Sequence, residues 1–106
     1  MSMLQISAGE ELYYEYTEPT STQRTIVFVN ALTGNTGMWS GQICERLQSN
    51  GYGTLCYNFR GQQDTVFNDS TDLTPTLVVE DLCLLLSKIK PPSPILVGLS
   101  IGGLFA

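Results

Sequence analysis

The chain has 106 residues and a formal net charge of -5, with 42% hydrophobic and 14% charged residues. That balance excludes a disordered polar chain and allows one small domain with a modest core. Five Lys and Arg without a basic run exclude the positive surface that nucleic acid or an anionic membrane needs.

The start, "MSMLQISAGEELYY", lacks a basic segment followed by a long apolar one, so it does not read as a signal peptide. No apolar run approaches the roughly 18 residues of a membrane span. A cytoplasmic location is the expectation. Cys44, Cys56 and Cys83 are odd in number and widely spaced, and the sequence contains no histidine. They form no zinc pattern. All three sit among apolar residues and are expected as buried free thiols. No metal and no organic cofactor is implied.

In chain order, "MLQIS", "AGE" and "ELYYEY" predict an N-terminal hairpin with Gly9 in its turn. "EPTSTQ" reads as a loop. "TIVFV", Thr25 to Val29, is a β-branched and aromatic run that suits a strand buried on both faces, as in a parallel sheet. "NALTGNTG" is a loop. A helix is expected from about Met38 to Ser49, with Trp39, Ile43 and Leu47 as its apolar stripe. Asn50-Gly51 supplies the stop.

"GTLCYNF" is the next strand and "RGQQDTVFNDSTD" a polar loop. Thr74-Pro75 opens a second helix, with Thr as cap and Pro at the first position. Val78, Leu82, Leu85 and Ile89 form its core stripe, with Leu86 alongside. Glu80 and Asp81 early in it, and Lys88 and Lys90 near its end, suit the helix dipole. Pro91-Pro92 ends it. "PILVGL" is the last strand, and "IGGLFA" begins a third helix. The order strand, helix, strand, helix, strand, helix describes an α/β domain with a parallel sheet, whose carboxyl edge is the place for a ligand.

At that edge stands Gly98-Leu99-Ser100-Ile101-Gly102, a G-x-S-x-G between strand and helix. Such a turn is tight enough to require small neighbours, hence Gly98 and Gly102. It pushes the serine into the open beside the start of the next helix. The Ile101 N–H then points where an oxyanion would form. Gly103 is expected to let that helix pack close to the sheet.

From about Glu11 onward the chain resembles the α/β-hydrolase fold family. "TIVFV" is similar to the strand leading into that family's oxyanion loop, and "NALTGNTGMW" to the loop and first helix. "YNFRGQQDT" resembles its D-x-R-G-x-G-x-S segment, "TPTLVVEDLCLLLSKI" the helix before the elbow, and "VGLSIGG" the elbow. The resemblance implies Ser100 as nucleophile and the N–H groups of Leu32 and Ile101 as oxyanion hole. Asn30-Ala31 stand where the family has His-Gly, and Ala31 adopts positive φ less readily than Gly. Asn30 can hydrogen-bond and brace the loop instead. Asn58 replaces the usual Asp and Gln63 the usual Gly, while Arg60 reads as a loop brace, with anchoring of a carboxylate-bearing substrate as the alternative. The Asn-x-Leu start and "GLSIGG" carry a weaker likeness to 3-oxoadipate enol-lactonases.

The family's acid and histidine follow the serine, whereas Asp64 and Asp69 precede it. Without a base a serine hydroxyl is a poor nucleophile at neutral pH. Residues 1–106 are therefore expected to be the N-terminal portion of one α/β-hydrolase domain, a hairpin followed by parallel strands with crossover helices, stopping after the elbow. The implied activity is hydrolysis of a carboxylic ester, lactone or thioester by the complete protein, with this chain inactive alone. The alternatives are a non-catalytic module binding a small ligand or partner, and a fragment completed by a second chain across an open apolar edge at "PILVGL".

Overall fold

A computed structural model describes residues 2–7, 10–30, 35–59, 75–99 and 101–106. The elements are β1 (Ser2–Ser7), β2 (Glu10–Thr17), β3 (Thr25–Val29), a 3₁₀ turn (Thr36–Met38), α1 (Gln42–Ser49), β4 (Gly53–Tyr57), α2 (Pro75–Ile89), β5 (Pro94–Gly98) and α3 (Ile101–Phe105). They form one five-stranded sheet in the order β1-β2-β4-β3-β5. β1 and β2 are the expected antiparallel hairpin, and β2 pairs antiparallel with β4. β3 runs parallel to β4 on one side and to β5 on the other. Gly9, the 60–74 loop and the Thr74 cap lie outside the described residues.

Alternation along the strands sorts the side chains into two cores. Val27 and Val29 of β3, Leu55 and Tyr57 of β4, and Leu12 of β2 face α2, meeting Val78, Leu82 and Leu85. Ile26, Phe28 and Cys56 face the other way, toward Trp39, Cys44 and Leu47. The continuous apolar run of β3 is thus buried on both faces because α1 covers one and α2 the other. Ile89, Leu86 and Leu96 pack on the α2 side. β5 stands at the sheet edge, and its Ile95 and Val97 are exposed.

Helix α1 departs from expectation. Its first helical residue is Gln42 rather than Met38, because residues 36–38 form a 3₁₀ turn and Gly41 occupies the cap position. Trp39 is buried, but in the turn before the helix, so it does not share a helical stripe with Ile43. Ile43 is 45% exposed, and Cys44 and Leu47 face the sheet in its place. The stop is as expected. Gly51 has φ +87, with Gly51 N–H donating to the Gln48 carbonyl and Tyr52 N–H to that of Leu47, each at 3.0 Å. This is the Schellman arrangement, which satisfies carbonyls at the helix end.

Two further readings are corrected. Cys83 lies on the outer side of α2 and is exposed, unlike Cys44 and Cys56. No acidic residue occupies the first turn of α2. Asp81 falls at the helical spacing of Val78, Leu82 and Leu85 and is buried with them. It serves the interior rather than the dipole. The Tyr57 hydroxyl is buried and has no hydrogen-bond partner among the described residues. Burial first, then the Asp81 charge, pushes the Tyr57 phenol up. A buried hydroxyl without a partner costs about 1–3 kcal/mol. Tyr57→Phe is therefore expected to leave the free energy of unfolding, read from a urea titration, unchanged or raise it by up to about 1 kcal/mol. A clear loss would show that the hydroxyl contributes to folding.

Candidate active site

The strand order itself makes a site. From β3 the chain crosses through α1 to β4 on one side, and later through α2 to β5 on the other. A reversal of strand order of this kind opens a crevice at the carboxyl ends of the strands. The register pairs Phe28 with Cys56 and Val29 with Gly98. Asn30, Asn58 and Leu99 therefore emerge at one level, at one edge. The cleft of ≈ 350 Å³ lined by Tyr16, Glu18, Pro19, Gln23 and Pro92 belongs to the opposite edge, where β3 and β5 begin.

The turn after β5 is tight. β5 ends at Gly98 and α3 begins at Ile101, leaving Leu99 and Ser100 between them. Leu99 N–H donates to the Val29 carbonyl at 3.2 Å, and Gly102 N–H to the Leu99 carbonyl at 2.9 Å. A Cβ on Gly98 would overlap the carbonyl of Gly102 and the Cα of Gly103. A Cβ on Gly102 would overlap the carbonyl oxygens of Val29 and Asn30. A Cβ on Gly103 would meet nothing closer than 3.6 Å, an ordinary contact. The close approach of helix to sheet, expected at Gly103, is thus made at Gly102. Phe105 anchors the far end of α3 by an edge contact with Phe59, 6.1 Å between ring centres. Ser100 and Leu32 lie outside the described residues. Ile101 is described by its backbone, as the first residue of α3.

Asn30 ties the end of β3 to the end of β4 and to Trp39. Its amide nitrogen donates to the Tyr57 carbonyl at 2.7 Å and to Asn58 Oδ1 at 3.2 Å. Its Oδ1 accepts the indole N–H of Trp39 at 2.6 Å. Asn58 Oδ1 also accepts the backbone N–H of Thr36 at 2.8 Å. An indole only donates and a carbonyl only accepts, so the Asn30 amide has one consistent orientation. Asn30 and Asn58 are 0% and 1% exposed. The two flanks of residues 31–34 are thus tied together and to the end of β4. Trp39 is fixed in turn by stacking on Phe28, 4.7 Å and 19° between planes. On the far flank, Asn35 Oδ1 accepts the Gly37 N–H at 2.8 Å and caps the 3₁₀ turn.

Asn58, Trp39 and Thr36 were missed as site residues by sequence reasoning. Asn58 stood out only by replacing an Asp, and either side chain offers the acceptor oxygen that Thr36 and Asn30 use. Trp39 was assigned to a helix stripe. Beside α3, Pro75, Thr76, Val79, Glu80 and Phe105 line a groove of ≈ 310 Å³.

The sequence model of the α/β-hydrolase fold family matches residues 24–106. The chain belongs to the α/β-hydrolase fold family. Among curated proteins none matches. Solved structures of this fold do. A carboxylesterase study of the thaumarchaeon Nitrososphaera gargenis supplies one, 24% identical over 98% of this chain with a TM-score of 0.85. Alpha/beta hydrolase domain-containing protein 10 from mouse is 23% identical over 98%, with a TM-score of 0.83. The enol-lactonase from Burkholderia xenovorans LB400 is 28% identical over 92%, with a TM-score of 0.75. The chain spans 38%, 41% and 36% of these three structures respectively. Among the described residues no helix is long and apolar enough to cross a membrane.

Proposed function

We propose that this α/β-hydrolase chain carries the nucleophile of a serine hydrolase acting on a carboxylic ester, lactone or thioester. The observation that carries the reading is the two-residue connection from Gly98 to Ile101, backed directly onto Gly102. So short a strand-to-helix turn forces its central side chain outward, and Ser100 is one of its two residues. Ser100 would attack the carbonyl carbon. The N–H groups of Leu32 and Ile101 would hold the oxyanion, the first on the loop braced by Asn30 and Asn58. These 106 residues contain no histidine. The base and acid that activate Ser100, and then the deacylating water, would come from elsewhere, in the same polypeptide or a second chain. The chain by itself would be inactive.

A fluorophosphonate probe on the complete protein tests this. The expected result is one adduct on Ser100, lost in Ser100→Ala together with ester hydrolysis beyond what an oxyanion hole sustains alone. Full activity in Ser100→Ala would refute it. The second reading is a non-catalytic module that keeps the pocket for a small ligand or partner. Absence of labelling in a complete protein that also lacks a histidine downstream would support that reading. Light scattering distinguishes a free monomer from a chain completed by another across the exposed β5 edge.

A further inference from the structure

The α1 side of the sheet carries chemistry that the hydrolase reading leaves unused. Cys44 belongs to α1 and Cys56 to β4, and they are 3% and 1% exposed. Both sit in one cluster with Phe28 and Trp39. Both side chains pack in that cluster across the helix–sheet interface. Beside them is a cavity of ≈ 50 Å³, lined by the two cysteines and by Glu15, Ser40, Gln48 and Thr54. A water needs about 10–15 Å³ of such space, so the cavity admits a molecule of the size of water or hydrogen peroxide.

The polar lining is organised around one sulfur. Gln48 Nε2 donates to Thr54 Oγ1 at 2.8 Å, which leaves the Thr54 hydroxyl proton for the Cys44 sulfur. The Cys56 thiol is the second donor. The Cys56 hydrogen bond foremost, with Thr54 in support and burial opposing, pulls the Cys44 thiol down. Cys56 is pushed up, by its bond to Cys44 first and by burial second. A thiolate-prone cysteine beside a protonated one is the pairing that peroxide chemistry requires. Among the described residues no three His, Cys, Asp or Glu side chains are grouped to hold a metal ion.

We propose that Cys44 and Cys56 are a peroxide-sensitive dithiol that closes to an intramolecular disulfide. The Cys44 thiolate attacks one oxygen of hydrogen peroxide. An S–O bond forms, the O–O bond breaks, and the departing hydroxide takes up the proton that Cys44 released. The Cys56 sulfur then attacks the sulfenic acid. The S–S bond forms, the S–O bond breaks, and hydroxide leaves with the Cys56 proton as a second water. Two thiols are oxidised and one peroxide is reduced to two waters. The bond forms within the cluster that holds Trp39, whose indole braces Asn30, so oxidation is felt at the loop. Neither the reaction nor its test depends on Ser100.

The test uses the Cys83→Ser chain, which lacks the exposed thiol. It is treated with hydrogen peroxide, denatured and alkylated with iodoacetamide. The expected result is an intact mass lower by two hydrogens, with alkylation lost at Cys44 and Cys56 together. A peptide pair joined through these residues should appear. Emission of the single tryptophan falls and is restored by dithiothreitol. With Cys56→Ser added, dimedone should trap Cys44 as its sulfenic acid. Full alkylation of both cysteines after peroxide would overturn the proposal, as would their separate oxidation to sulfinic or sulfonic acids. The mass measurement decides on the Cys83→Ser chain alone, whether or not the core variant folds.

Discussion

Gly102→Val is expected to yield a chain with no cooperative unfolding transition. The Cβ of any residue at 102 would overlap the carbonyl oxygens of Val29 and Asn30, backbone atoms at and just past the end of β3. A flexible side chain could swing aside; a strand end cannot. Relief requires α3 to lift off, which also frees Phe105 from Phe59. Overpacking in a dense interior costs about 1–3 kcal/mol and occasionally more. A backbone clash stands at or beyond the top of that range. Native domains have only about 5–15 kcal/mol in total. Circular dichroism during a urea titration reads the result. Gly103→Ala is the matched control, because its Cβ would meet nothing closer than 3.6 Å. In a helix that change gains up to about 1 kcal/mol from propensity. A Gly102 variant as stable as the Gly103 variant would show that α3 does not lie against the ends of β3 and β5.

The second large effect is expected at Asn30→Leu. Leucine keeps the branched four-heavy-atom side chain of asparagine but is bulkier and offers no hydrogen bond. The Tyr57 carbonyl and the Trp39 indole N–H would each lose a partner that stands at 2.7 Å and 2.6 Å. A buried group left without its partner costs about 1–3 kcal/mol. With two such groups the expected destabilisation is roughly 2–6 kcal/mol, read from the urea midpoint. Trp39 is the single tryptophan, so it gives one indole N–H resonance. That resonance should shift and exchange faster with solvent in Asn30→Leu. A double-mutant cycle with Trp39→Phe isolates the pair, and coupling near zero would mean that the 2.6 Å contact contributes nothing. Asn30→Asp keeps an acceptor for Trp39 but sets a carboxylate oxygen against the Tyr57 carbonyl and Asn58 Oδ1 in a fully buried site, so it is expected to be at least as destabilising as Asn30→Leu.

Much of this arrangement was legible because it rests on local rules. β3 announces itself as five consecutive β-branched or aromatic residues. Helix α2 does so through the 3.6-residue spacing of Val78, Leu82 and Leu85 between Pro75 and Pro91. Its interior Asp81 was not legible, since a carboxyl at position 81 satisfies the polar pattern and the core spacing alike. In α1 the spacing of Trp39, Ile43 and Leu47 is as regular as in α2. The inward face is nevertheless Cys44 and Leu47, because Cys44 N–H bonds to the Trp39 carbonyl at 2.9 Å and sets the helix on its turn. Periodicity locates an apolar stripe only where one continuous helix carries it. The cysteines followed the same logic. Cys83 has apolar neighbours in sequence, yet at its position the helix points outward.

By itself, then, the sequence determined the order of strands and α-helices, the stop at Gly51 and a tight strand-to-helix turn at Ser100. These follow from residue types and spacings within about one helical turn or one strand, where backbone sterics and burial act directly. Only the tertiary structure decided that β4 and β5 lie on opposite sides of β3, which brings Asn30, Asn58 and Leu99 to one edge. It also decided that Gly102 rather than Gly103 meets the sheet, and that Asn30 closes on a carbonyl 27 residues away. An asparagine at a strand end reads as loop in any sequence. It becomes a brace when burial removes water and leaves it only the partners that the fold supplies.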